Sequence, residues 1–146
     1  MQTRSGRSGA YQVTTTDVIH GACRCGAVQW RFNGVPESAT VCNCTACHRY
    51  GALWAYGYEG DAIHVAGPTQ TYTQGRWVVF HFCPTCGCVA YWRGLKDSEQ
   101  GKRPMGVNLR MANLESVASI PVVRHDGLDS TDDLPRDGRC VTDYWF

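Results

Sequence analysis

The sequence predicts a single, mainly β domain of sandwich or barrel type with little helix. Two patterns predict it: strict alternation of apolar and polar residues in separate segments, and glycine or proline turn signals about every 8 to 15 residues. A third concerns cohesion. Seven of the nine cysteines fall into three short clusters, Cys23/Cys25, Cys42/Cys44/Cys47 and Cys83/Cys86, which predicts that bound metal helps to hold the domain together.

The elements follow from these patterns. Residues 27–32 put Val28, Trp30 and Phe32 on one side and Ala27, Gln29 and Arg31 on the other, the period of a half-buried strand, which Asn33, Gly34 and Pro36 then end. The aromatic stretch 53–58, the β-branched stretch 63–65 and the Thr/Tyr stretch 70–73 read as three more strands. Residues 76–82 place Trp77, Val79 and His81 on one face and Val78, Phe80 and Phe82 on the other, and 89–92 has the same β-rich composition. After a polar loop through Arg103, residues 107–111 read as extended and 113–118 as one helical turn. Residues 1–16 read as a flexible tail, 17–125 as the domain, and 126–146 as a polar, Asp-rich tail whose aromatic end, Tyr144, Trp145 and Phe146, docks back on the body.

Composition narrows the function. With 146 residues, 43% of them hydrophobic, the chain has ample material for a core. The net charge is +1, with no run of like charge, and falls to −2 if seven thiolates hold two Zn²⁺. No nucleic-acid partner and no membrane partner are therefore expected. The first sixteen residues lack the apolar core of a secretory signal, so a reducing, cytoplasmic location is the expectation. There, closely spaced cysteines serve metal or redox chemistry more often than disulfides.

Thiolates one or two residues apart on a tight turn reach a single ion without distorting the backbone. Cys83-Pro-Thr-Cys86-Gly87 has the form of a zinc knuckle, in which glycine lets amide N–H groups turn toward the sulfurs. Cys23-Arg24-Cys25-Gly26 is a second two-ligand turn. Cys42-Asn43-Cys44-Thr45-Ala46-Cys47 offers three thiolates, and three protein ligands with a vacant position define a catalytic zinc. Cys88 is either a fourth ligand that closes this triple or a small buried strand residue. Redox cycling within the triple is the competing reading, disfavoured by the absence of a βαβ pattern. Asn43-Cys44-Thr45 also spells a glycosylation acceptor but lies inside the ligand cluster. Cys140 stands apart as a free thiol.

The order Cys-x-Cys, Cys-x-Cys-x-x-Cys, Cys-x-x-Cys-Gly, carried by GACRCGAVQWRF, CNCTACHRYGALWAY, FHFCPTCGCVAYW, GVNLRM and the HDG at Asp126, resembles the glutathione-dependent formaldehyde-activating enzyme family, which also includes centromere protein V. The resemblance implies a zinc-stabilised β-sandwich shared with a small Rab exchange factor. It assigns Cys23, Cys25, Cys83 and Cys86 to a structural zinc and Cys42, Cys44 and Cys47 to an exposed, catalytic one, two Zn²⁺ per chain. The implied activity is that of a carbon–sulfur lyase on S-hydroxymethylglutathione, the adduct of formaldehyde and glutathione. Asn43 and His48 stand where many members carry His and Arg, which leaves another thiol or aldehyde open as substrate. The alternative is a non-enzymatic zinc module for a protein partner.

Among other residues, His48 and Arg49 beside the triple can bind a carboxylate or offset the charge of three thiolates, and Arg24 can do the latter at the other cluster. Asn108 and Arg110 are weaker candidates to line a pocket. His81 reads as a satisfied core histidine. Trp54, Tyr56 and Tyr58 read as core packing that can also wall a small apolar pocket.

Overall fold

In the first strand, β1 (Val18–Ala22), Ile19 and Gly21 face inward and Val18, His20 and Ala22 face out; β2 (Gln29–Asn33) repeats this with Trp30 and Phe32 inward. The two pair antiparallel, and the Trp30 indole lies flat over its cross-strand partner Gly21. A Cβ at residue 21 would sit 2.1 Å from that ring, so only glycine fits there. The computed structural model describes residues 17–145; the expectations for residues 1–16 and for Phe146 lie outside the described residues.

β5 (Ile63–Ala66) pairs with β2 to complete a three-stranded sheet ordered β1-β2-β5. The remaining strands are β3 (Ala39–Cys42), β4 (Trp54–Tyr58), β6 (Gln70–Gln74), β7 (Val78–Phe82), β8 (Val89–Gly94), β9 (Pro104–Asn108) and β10 (Val122–His125). They form a seven-stranded sheet ordered β10-β3-β4-β9-β8-β7-β6, antiparallel except for the parallel β10–β3 pair. The mainly β, two-sheet expectation is met. Ile19, Trp30, Phe32 and Ile63 from the smaller sheet share one core with Ala55, Tyr91, Met105 and Val107 from the larger and with Leu53 just ahead of β4. Each large apolar side chain buried there contributes about 1.5–3 kcal/mol before entropy is counted.

Three departures from the sequence reading matter for the site. First, residues 107–111 are not one extended segment. The strand ends at Asn108, whose side-chain oxygen accepts from the Arg110 N–H and bends the chain into a 3-10 turn, Leu109–Met111. Second, a short helix, α1 (Thr45–Tyr50), grows out of the cysteine triple; six residues are too few to show helical periodicity. Gly51, at φ 61°, ends it in the left-handed conformation that favours glycine. α2 (Leu114–Val117), capped by Asn113, is the helical turn expected at 113–118.

Third, residues 126–145, read as a polar tail, run back along the body. His125 bridges to Asp133 and Pro121 to Cys140. Val141 is fully buried in the core, and Tyr144 and Trp145 pack against it, the docking expected of the aromatic end. Cys140 opens the 3-10 turn Val141–Tyr144, away from both cysteine clusters, with its N–H on the Asp143 carboxylate. Among the described residues no helix is long and apolar enough to cross a membrane.

Candidate metal centres and their clefts

Cys23 and Cys25 lie on the turn between β1 and β2, and Cys83 and Cys86 on the turn between β7 and β8. Both turns curl through glycine at positive φ, Gly26 at 82° and Gly87 at 77°, which brings backbone N–H groups toward sulfur. Val28 N–H reaches Cys23 Sγ at 3.3 Å and Cys86 N–H reaches Cys83 Sγ at 3.5 Å. All four sulfurs lie within 4.8 Å of one another, with Cys23–Cys25 at 3.6 Å and Cys25–Cys83 at 3.5 Å. A tetrahedron of sulfurs about 2.3 Å from zinc has edges of about 3.8 Å, so the spacing fits such an ion.

Electrostatics makes the same demand. Backbone N–H groups of Cys88 and Cys25 hold the Cys86 thiol down at about 5. At Cys25 the Ala27 N–H favours the thiolate, but the neighbouring sulfurs of Cys83 and Cys23 outweigh it and push the thiol up to about 12. Four sulfurs this close cannot all ionise unless a cation balances them, and a dication does so.

The second cluster stands at the end of β3. Cys44 caps α1, its sulfur accepting the Cys47 N–H at 3.4 Å, and Cys42 Sγ accepts the Cys44 N–H at 3.4 Å. The buried Trp54 indole N–H points at Cys47 Sγ, 3.3 Å away. Burial disfavours a thiolate at Cys42 and Cys47 and raises both thiols. At Cys44 burial also acts against the thiolate, yet the Cys47 N–H and the adjacent sulfurs prevail and its pKa is lowered. The three sulfurs gather within 4.8 Å. Cys88 is not with them: its carbonyl accepts the Cys83 N–H, and its thiol lies by the Arg24 N–H and by Cys86 and Cys23. Neither reading of Cys88 holds as stated: half-buried and just before β8 (Val89–Gly94), it lies beside the first cluster and leaves the triple with three sulfurs among the described residues.

A loop that the sequence reading did not tie to the triple supports it. Asn43 donates to Asp126 at 2.9 Å and accepts the Leu128 N–H at 3.0 Å. Asp126 also receives the Ser130 N–H and hydroxyl, and the Asn43 amide, followed by those donors, holds its carboxyl at about 2. Gly127 is pressed against the cluster, where a Cβ would stand 2.6 Å from Cys42 Sγ. His125 pairs with Cys42 across the parallel strands and bonds Asp133 at 2.8 Å. The HDG tripeptide was the one signal in the sequence that pointed here.

The triple separates two clefts. One, of about 450 Å³, is lined by Cys42, Cys47, His48, Arg110, Arg124 and Arg139 among others, and is basic. The other, of about 340 Å³, is lined by all three cysteines and by Trp54, Tyr56, Trp77, Phe80 and Trp92. The expected residues divide accordingly. His48 and Arg110 reach the basic cleft, Arg110 stacking on Trp145 and donating to the Tyr144 carbonyl. Arg49 turns to a separate groove with Tyr72 and donates to the Thr45 carbonyl. Asn108 does not reach either cleft: buried, it accepts from Leu53 N–H and Arg110 N–H and donates to the Val89 carbonyl. Tyr58 lies in a groove beyond Trp92, not beside the cysteines. His81 stacks on Tyr91 and bonds Thr69, a satisfied core histidine.

A model of the glutathione-dependent formaldehyde-activating enzyme family matches residues 18–121. The chain belongs to that family. The match spans both cysteine clusters, so the two sulfur centres of this formaldehyde-activating family member lie within its family core. A search of the curated proteins found no match to the chain. Family membership supports a function related to glutathione and formaldehyde. The loop that braces the triple, residues 126–133, lies beyond the matched segment.

Proposed function

We propose that this chain is a zinc-dependent carbon–sulfur lyase acting on a thiol–aldehyde adduct of the S-hydroxymethylglutathione kind. The observation that carries the reading is a cluster of three sulfurs, braced but not completed by the protein, that opens onto clefts on two sides. Cys42, Cys44 and Cys47 would hold a zinc ion, which would supply Lewis-acid chemistry favouring the anionic form of a substrate thiol or hydroxyl. The four-sulfur cluster of Cys23, Cys25, Cys83 and Cys86 holds the structural ion. Both would need thiolates, which a reducing compartment such as the cytoplasm keeps available.

The chain's own residues do the rest. Trp54 and the Asn43–Asp126 bond hold the ligands in place. His48, Arg110 and Arg124 give the basic cleft the donors that carboxylates of a glutathione-like tripeptide need. In the cleavage direction the carbon–sulfur bond breaks with its electron pair passing to sulfur, the adduct's hydroxyl gives up its proton, and thiol and aldehyde leave. Exchange spectroscopy of formaldehyde with glutathione tests this: zinc-loaded protein is expected to accelerate exchange and a Cys44→Ala variant is not. No acceleration by the loaded protein, with formaldehyde or with a bulkier aldehyde, refutes the lyase reading in favour of a non-enzymatic zinc module for a protein partner.

A further inference from the structure

The two clefts beside the triple differ in chemistry, and the difference bears on the aldehyde. In the aromatic cleft Trp54 and Phe80, 1% and 2% exposed, lie deepest, their ring centroids 6.0 Å apart. Trp92 and Tyr56 meet edge to face at 5.4 Å, and Trp77, 77% exposed, stands at the opening. No carboxylate, lysine or arginine lines it among the described residues. Across from the rings are Gly127 and Thr131, the latter at φ 62°, a conformation that β-branched residues rarely adopt and that the Asp126-anchored loop enforces. Gly127 packs directly on the cluster, where a Cβ would stand 2.6 Å from Cys42 Sγ, so the backbone itself forms that wall.

A one-carbon unit needs about the volume of one water, ~30 Å³. The cleft offers about 340 Å³, walled by rings that gain nothing from so small and polar a group. The basic cleft, which also reaches Cys42 and Cys47, offers His48, Arg110, Arg124 and Arg139 to the carboxylates of a glutathione-like part.

Resting on the lyase reading above, we infer that the aromatic cleft receives an apolar, best an aromatic, group carried on the aldehyde carbon, so that the substrate class is the hemithioacetal of an aryl or comparably bulky aldehyde. The step keeps its balance: the adduct R–S–CH(OH)–Ar loses its carbon–sulfur bond to sulfur, its hydroxyl proton is released as the carbonyl forms, and the products are a thiolate, a proton and the aldehyde Ar–CHO. The ring stays among Trp54, Tyr56 and Trp92 while the thiol stays on the basic side.

Calorimetry on zinc-loaded protein with S-benzylglutathione and S-methylglutathione, neither of which carries the hydroxyl needed to react, tests the cleft without any turnover. The benzyl compound is expected to bind at least about tenfold tighter. That ratio should shrink to within about threefold in Trp77→Ala, whose site is too exposed to threaten the fold, and in Tyr56→Ala once its zinc content is verified. Equal affinity for the two compounds, or binding of neither, overturns the inference. Exchange measurements with glutathione separate it from the lyase reading. Acceleration of benzaldehyde exchange supports both; acceleration of formaldehyde exchange alone overturns this inference and leaves the lyase standing; acceleration of neither overturns both.

Discussion

The Asn43 amide donates to the Asp126 carboxylate at 2.9 Å across 83 residues of sequence, tying the loop that carries the cysteine triple to the loop that follows the last strand. The bond reaches no sulfur itself, yet it fixes the residue between Cys42 and Cys44 and seats Gly127 against them. Weakening it with Asp126→Asn, which takes away the carboxylate charge, is expected to lower zinc affinity at the triple by about 10–100-fold while the four-sulfur site keeps its metal, as competition with a chromogenic chelator would read. The sign of the pH dependence follows from the lowered carboxyl. Asp126 titrates at about 2 in the fold against 3.8 when free, so its contribution is complete above about pH 4 and is lost only as pH falls toward 2. The penalty for Asp126→Asn should therefore be flat between about pH 5 and 8.

Replacing a ligand separates the two centres. Cys86→Ser or Cys23→Ser should lose the cooperative unfolding transition, because that cluster joins turns from the two sheets. Cys44→Ser should lose one metal per chain and keep its far-ultraviolet spectrum, and Cys88→Ala should keep both metals. Native mass spectrometry with circular dichroism reads all four variants. Equal loss of fold from Cys44→Ser and Cys86→Ser would contradict the division of roles.

The indole N–H at Cys47 can be removed without removing the ring's bulk. Trp54→Phe should preserve the contact with Phe80 and lower zinc affinity at the triple by roughly tenfold. Unchanged affinity would make Trp54 a packing residue only.

Gly21→Ala tests the packing of the smaller sheet. Its Cβ would meet the Trp30 ring at 2.1 Å, so the ring or the strand must move, at a cost of about 1–3 kcal/mol. Leu53→Ala, fully buried between the sheets, should cost about 2–5 kcal/mol. Urea unfolding of the zinc-loaded variants measures both.

The strands were legible where burial was one-sided. Residues 27–32 announce β2 because Trp30 and Phe32 alternate with exposed polar residues. Both strands missed at the edge beside the triple, β3 and β10, have two adjacent buried residues followed by two half-buried ones, a pattern with no period of two. β1 hides its inward position 21 behind a glycine. The ligand sulfurs were legible because metal demands short spacing. Cys88 was not, since the strand that follows a knuckle can carry its side chain to either cluster and only the three-dimensional turn decides. Asn43, Asp126 and Gly127 act through contacts between loops far apart in sequence, which no local pattern reveals.

The four-sulfur centre joins Cys25 to Cys83 across 58 residues. Because that site exists only when the turns from the two sheets meet, the free energy of binding a metal there adds directly to the free energy of folding. The clasp opens whenever the ion is withheld. In a cell short of zinc the newly made chain would spend more of its time unfolded and exposed to proteases, so its steady-state level would follow zinc supply even at constant synthesis.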